Sequence, residues 1–181
     1  GNEFRNFDTK QLTELTMNIR KTVLDTIYTA FLIPEAPRTA SRYSFFDDIN
    51  GRFVVRRLNS SNPDAEADYA WIDFFLSTDK YTEGNVYVFG QLSDWRVNPK
   101  FMLRYDEQTH AYRGQILLKQ GYYNYQYVVL PDNSRIAEET LIEGSHWETT
   151  NEYSILVYHR EIGIRYDRLV GLTQFFERPF R

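Results

Sequence analysis

The sequence predicts an all-β sandwich, and three observations carry that prediction. Residues 121–130, Gly-Tyr-Tyr-Asn-Tyr-Gln-Tyr-Val-Val-Leu, alternate their tyrosines. Tyr123, Tyr125, Tyr127 and Val129 therefore share one face of a strand, because strand side chains repeat every second residue. Apolar runs of strand length recur at 68–77, 85–90, 100–106, 110–118, 121–130, 152–160 and 165–172, with turn residues between them. Aromatics make up 17% of the chain, with 14 Tyr and 13 Phe, and such residues favour pleated, half-buried surfaces. A strand ending at Gly90, a loop carrying Trp95 and a later strand opening on Gly121-Tyr122 narrow the class to an immunoglobulin-like (early-set) β-sandwich.

The earlier part of the chain also reads as β. Residues 9–24 place Leu12, Leu15 and Ile19 near helical spacing, and Leu15, Met17 and Ile19 at strand spacing; the β-branched residues among them favour a strand. Residues 25–33 read as a second strand, broken by Pro34-Glu-Ala-Pro37 because proline cannot donate to a ladder. Residues 42–48 and 52–58 flank Asn50-Gly51, the pair that suits a two-residue turn with positive φ at both positions, so a hairpin is expected at 42–58. The polar stretch Asn59-Ser-Ser-Asn-Pro-Asp64 marks the internal boundary. The expected organisation is an N-terminal β-rich segment, 1–63, packed against a sandwich formed by 64–181, within a chain of 181 residues that is long enough for a sizeable core.

Composition excludes several classes of function. The formal charge is −4 and there is no basic footprint for nucleic acid. No cysteine is present, which removes disulfides and thiolate chemistry. No apolar run reaches the length of a membrane helix, so no membrane insertion by the chain itself is expected. The opening on Gly1 rather than Met leads us to expect a fragment whose targeting segment is missing. Walker-type phosphate loops, the dinucleotide glycine fingerprint and Gly-x-Ser-x-Gly are absent from the sequence.

His110, His146 and His159 are scattered, and His146 with Glu143 and Glu148 would make a poorly preorganised metal site. Aligning Asp48-Ile-Asn-Gly51 as a calcium loop puts Phe46 and Arg57 at the first and last ligand positions, where neither can bind the ion. The acid pairs Asp47-Asp48, Asp64 with Glu66, Asp106-Glu107 and Glu138-Glu139 sit at turns or strand ends without a supporting base or nucleophile. The expectation is a protein without catalytic residues, metal or cofactor, and not an enzyme.

Binding is the remaining possibility, and the tryptophans lead it. Ala70, Ile72, Phe74 and Leu76 make one apolar face of their strand, which turns Trp71, Asp73 and Phe75 to the other side. That side either lies under the N-terminal segment or forms a patch for a partner. The long connection 131–151 carries Glu138, Glu139, Glu143, His146, Trp147 and Glu148, and long loops on a β scaffold are where function concentrates. Within it, 142–151 sets Ile142, His146 and Trp147 among acids and threonines, as either a rim for a partner or a cap over one end of the sandwich.

Two resemblances add to this. Residues 86–130 resemble the glycogen-binding module of the AMP-activated kinase β subunit and of branching enzymes. There Trp95 of Gln-Leu-Ser-Asp-Trp matches a sugar-stacking tryptophan and Gln126 stands where the family has lysine. The family's second stacking tryptophan falls near 133–135, where this chain has no aromatic. That resemblance implies a carbohydrate (glucan)-binding module using Trp95 and Gln126 as the alternative function.

The longer resemblance runs through Asn2-Glu-Phe-Arg-Asn-Phe-Asp8, Asp48-Ile-Asn-Gly51, Glu66-Ala-Asp-Tyr69, Leu118-Lys-Gln-Gly-Tyr-Tyr-Asn-Tyr125, Glu143-Gly-Ser-His-Trp-Glu-Thr-Thr-Asn-Glu-Tyr153, Leu156-Val-Tyr-His-Arg160 and Arg165-Tyr-Asp-Arg-Leu169. Together these are similar to the C-terminal half of the type IX secretion system plug proteins of Bacteroidota, a family long of unknown function. The resemblance implies a secreted β-rich protein of the periplasm, associated with the outer membrane and lacking its N-terminal half here. It would dock on the periplasmic mouth of the outer-membrane translocon and close it while no substrate is engaged. The residues expected to meet that partner are Trp147, His146, Trp71 and Phe75.

Overall fold

The computed structural model describes residues 3–44, 46–146, 148–149 and 151–177. Eleven strands run in the order β1 (Arg5–Asp8), β2 (Ile19–Leu24), β3 (Tyr28–Leu32), β4 (Phe53–Val55), β5 (Tyr69–Ser77), β6 (Asn85–Phe89), β7 (Met102–Asp106), β8 (Ala111–Lys119), β9 (Gly121–Leu130), β10 (Asn151–His159) and β11 (Arg168–Glu177). One short helical turn, α1 (Thr140–Glu143), lies between β9 and β10. Nine strands form a single sheet in the order β1–β9–β6–β7–β8–β5–β3–β2, with β4 added to β9.

That sheet folds over on itself. Phe74 of β5 meets Tyr125 of β9 edge-on at 5.3 Å and Phe7 of β1 at 5.8 Å, although β6, β7 and β8 lie between β5 and β9 in the sheet. The two ends also approach, since the Asp8 amide donates to the Met17 carbonyl just before β2. The result is an all-β sandwich, closed like a flattened barrel around one core. The tyrosine alternation gives that core its centre: Tyr123, Tyr125, Tyr127 and Val129 all point inward and are buried. Ala70, Ile72, Phe74 and Leu76 of β5 face them, each fully buried. Phe7, Tyr123 and Phe53 stack in a column at 5.0 and 5.2 Å.

The N-terminal strands lengthen the sheet instead of lying over it. β1 and β4 pair with β9, and β3 pairs in parallel with β5. Three local expectations are corrected. The strand expected over 9–24 is confined to β2, and 9–18 is irregular because its polar side chains bind back to β1. Thr16 Oγ1 donates to the Asp8 carbonyl, and Asn18 Nδ2 donates to the Asn6 carbonyl at 2.8 Å.

The Asn50-Gly51 turn forms, with φ of 52° and 70° and the Arg52 amide donating to the Ile49 carbonyl at 3.1 Å. The hairpin at 42–58 does not, because no described residue of 42–49 is in a strand. Side chains and loops take the place of a partner strand. The Ile49 amide donates to Asn124 Oδ1 at 2.7 Å, and Gly51 O accepts from the Gln91 amide at 2.9 Å.

The last two strands, expected in the sandwich, form a separate ribbon. Among the described residues β10 and β11 pair only with each other, with a bulge between Val157 and Tyr158. The places they would take are filled, by β3 beside β5 and by β1 and β4 beside β9. Tyr153, Ile155, Val157 and Phe175 on one side of the ribbon, and Leu156, Tyr158, Leu169 and Leu172 on the other, are each 42–60% exposed.

Candidate interaction face

The side of the sheet opposite the core is open over β5 and its neighbours. Alternation in β5 sends Tyr69, Trp71, Asp73 and Phe75 outward. Register then adds Lys119, Leu117, Gln115 and Arg113 from β8, directly opposite those four. Thr29 and Phe31 of β3 stand beside Trp71 and Asp73, Lys21 of β2 beside Phe31, and Arg104 of β7 beside Arg113.

Trp71 and Leu117 make an apolar pair at the centre, 37% and 42% exposed. Around them three cations lie over three rings: Lys21 over Phe31 at 5.6 Å, Arg113 over Phe75 at 5.5 Å and Lys119 over Tyr69 at 5.7 Å. Each cation is drawn to the negative ring face while its aliphatic stem covers apolar surface. Asp73 is buried among them, accepting from Gln115 Nε2 at 3.0 Å and lying 3.7 Å from Arg113 Nη2. The carboxylate thus anchors Arg113 and Gln115 in place. Trp71 and Phe75, singled out from sequence, are brought together here, and among the described residues the N-terminal segment leaves Trp71 partly exposed instead of covering it.

The other residues singled out from sequence lie elsewhere. Trp147 lies outside the described residues. His146 is half-buried with its ring 5.9 Å from Tyr43, and its Nε2 has no hydrogen-bond partner among the described residues. Ile142, which the sequence left open between a rim and a cap, is a fully buried core residue. Trp95 is 45% exposed, with its ring edge-on to Phe4 and Phe89 at 6.4 and 5.8 Å. Gln126 is buried and donates to the Glu3 carbonyl at 3.1 Å, which commits it to holding the N-terminus. A surface groove of about 230 Å³, lined among others by Leu12, Tyr28, Arg57 and Gln120, is smaller than ordinary ligand pockets.

The chain resembles a solved structure over nearly its whole length. The crystal structure of a hypothetical protein from Parabacteroides merdae matches it with a TM-score of 0.89 and 36% sequence identity. The match covers 98% of this chain and 45% of that one, so this chain spans less than half the length of that protein. No family model matches the chain, and no curated protein matches it.

One buried cluster escaped the sequence reading. Arg5 is 2% exposed, and its Nε donates to both oxygens of Glu143 at 2.9 and 3.1 Å. Its Nη1 lies 3.1 Å from Glu35, and its Nη2 donates to the Ala36 carbonyl at 2.8 Å. Tyr125 and Tyr127 donate their hydroxyls to Glu35 at 2.7 and 2.8 Å, and the Tyr127 amide donates to Glu143 at 2.8 Å. Burial works against the guanidinium charge, but Glu35 and Glu143 outweigh it and hold Arg5 above its ordinary value. Burial, reinforced by the Glu35 charge, pushes both tyrosines well up. The cluster ties β1, the 33–38 connection, α1 and β9 together, with one guanidinium set between two carboxylates and the charge of Arg38 acting on all three. Its one signal in the sequence is Arg5 at the same alternation as Phe7, a cation on the inward face of a strand.

Proposed function

We propose that this chain is a non-catalytic interaction protein of the type IX secretion plug kind, working in the periplasm at the outer-membrane translocon. The observation that carries the reading is the open face around Trp71. An apolar pair ringed by polar and charged side chains has the anatomy of a protein-binding hot spot. The motif resemblance from Asn2 to Leu169 supplies the partner. Asp106 and Glu66, two of the acids singled out from sequence, support the non-catalytic part of the reading, since their side chains accept from residues close by in the chain. Asp106 accepts from the Thr109 hydroxyl and the Gln108 amide within its own turn, at 2.8 and 3.0 Å. Glu66 accepts from Ser60 and Ser61 at 2.7 and 3.0 Å.

The experiment is co-purification of the translocon with the full-length protein from its native envelope. Trp71→Ala with Phe75→Ala is expected to cut capture at least tenfold, the size of a hot-spot truncation of about 2 kcal/mol or more. Undiminished capture by a folded double variant removes the face from the reading.

The glucan reading retains one favourable observation, the half-exposed ring of Trp95. Glucan titration followed by tryptophan fluorescence tests it. Binding at micromolar concentration, lost in Trp95→Ala, would put it first.

A further inference from the structure

The outer face is cationic on a protein that is acidic. Its outward strand positions carry Lys21, Arg104, Arg113 and Lys119 against Asp73 and, at the rim, Asp106, while the whole chain has a charge of −4. The cations are not scattered. Three of them are laid on aromatic rings around Trp71 and Leu117, and Arg113 is also drawn toward the buried Asp73. We propose that this face takes an extended acidic segment of a partner protein, with an apolar side chain seated on Trp71 and Leu117 and carboxylates on the surrounding cations. The inference rests on the reading of this face as the protein-binding surface and names the chemistry that it selects.

Geometry and electrostatics point the same way. Lys21 on β2 stands in the row of Asp73 and Lys119 on β8 in the row of Tyr69, so the two flank the Trp71 row on a diagonal of about 20 Å, three strand spacings across and four residues along. An extended segment laid along that diagonal places residues six apart at about 20 Å, with the residues between them passing over Trp71 and Leu117. Two carboxylates about six residues apart, with apolar residues between them, are therefore the pattern that the face accommodates. A cation already packed on a ring is held in place, so less side-chain freedom is lost when a carboxylate arrives. Complementary charge steers encounter and rejects basic partners, and salt screens it.

The test uses the full chain and defined polymers. Random copolymers of Glu and Tyr, copolymers of Lys and Tyr, poly-Glu, and vesicles containing phosphatidylglycerol are each titrated against it by surface-immobilised binding. The Glu–Tyr copolymer is expected to bind at least about tenfold tighter than the Lys–Tyr copolymer and poly-Glu, and to weaken severalfold as salt rises from about 0.05 to about 0.3 M. Lys21→Glu with Lys119→Glu is expected to lower that binding at least about tenfold with an unchanged melting temperature. If the charge-reversed protein does not fold, Lys21→Gln with Lys119→Gln carries the same test.

Equal binding of both copolymers, binding by vesicles alone, no binding at all, or a folded variant that binds as before would each overturn the proposal. Failure here with Trp71-dependent capture of the translocon intact defeats the acidic-segment inference alone. Acidic-copolymer binding without translocon capture defeats the plug reading and leaves the chemistry of the face standing.

Discussion

Replacing Gly51 by alanine tests how the N-terminal turn is locked onto the sandwich. Gly51 has φ of 70°, where a side chain costs about 1 kcal/mol. The position is also filled from outside. A Cβ there would lie 2.6 Å from Phe4 Cε1 and closer still to Trp95 Cη2. Overpacking of this kind costs about 1–3 kcal/mol, and the stiffer unfolded chain returns about 0.4–1 kcal/mol.

The expected net loss is about 2 kcal/mol, or about 4–8 °C in melting temperature for a chain of this size. Two contributions are mixed in that figure, and Trp95→Ala separates them. In a Trp95→Ala background the nearer clash disappears and the Phe4 ring gains room to move aside, so the Gly51→Ala loss should shrink to about 1 kcal/mol, the φ cost and the unfolded-state gain nearly cancelling. The assay is urea unfolding of the four proteins of this cycle, with Trp95 fluorescence followed in Gly51→Ala for movement of the indole into water. Equal losses in the two backgrounds would refute the close-packing argument, and no loss in either would refute the left-handed turn itself.

Other consequences follow from the core and the ribbon. Arg5→Met leaves the buried Glu143 and the half-buried Glu35 without the guanidinium between them, so urea unfolding should show a loss of about 3–5 kcal/mol; a loss below about 1 kcal/mol would mean that the cluster relaxes into water. Burial and the Glu3 carboxylate push Tyr43 up to about 12, and burial, with Tyr69 adding to it, raises Tyr123 further, with Tyr125 and Tyr127 also well up. An unfolded tyrosine ionises near about 10, so this contribution to stability is complete below that pH and is lost as the pH climbs through the folded-state values. Alkaline titration by absorbance should show these hydroxyls ionising late, together with unfolding, and full ionisation of all tyrosines near 10 in a folded protein would contradict it. In the ribbon, Leu156→Thr with Leu172→Thr should reduce binding of a hydrophobic dye while the sandwich unfolds within about 0.5 kcal/mol of the parent. A large loss of stability would show that the ribbon supports the core.

What the residues determine alone is local and periodic. Two-residue repetition is a property of the extended backbone, so the inward sets Tyr123, Tyr125, Tyr127 and Ala70, Ile72, Phe74, Leu76 were legible without any knowledge of neighbours. Positive φ at Asn50 and Gly51 was legible for the same reason, being a requirement of the turn itself. Pairing was not legible, because a strand's alternation says which side chains share a face and nothing about which strand lies beside it.

Only the tertiary structure decided that 1–63 extends the sheet through β1, β3 and β4, which in turn left Trp71 partly exposed and set β10 and β11 apart as a ribbon. Lys21, Arg113 and Lys119 come from strands that meet only through that pairing, so their convergence around Trp71 and Leu117 is invisible along the chain. The Arg5 cluster is the extreme case. Arg5 and Glu143 are 138 residues apart, and a buried charge is tolerable only once the fold has delivered its counterpart.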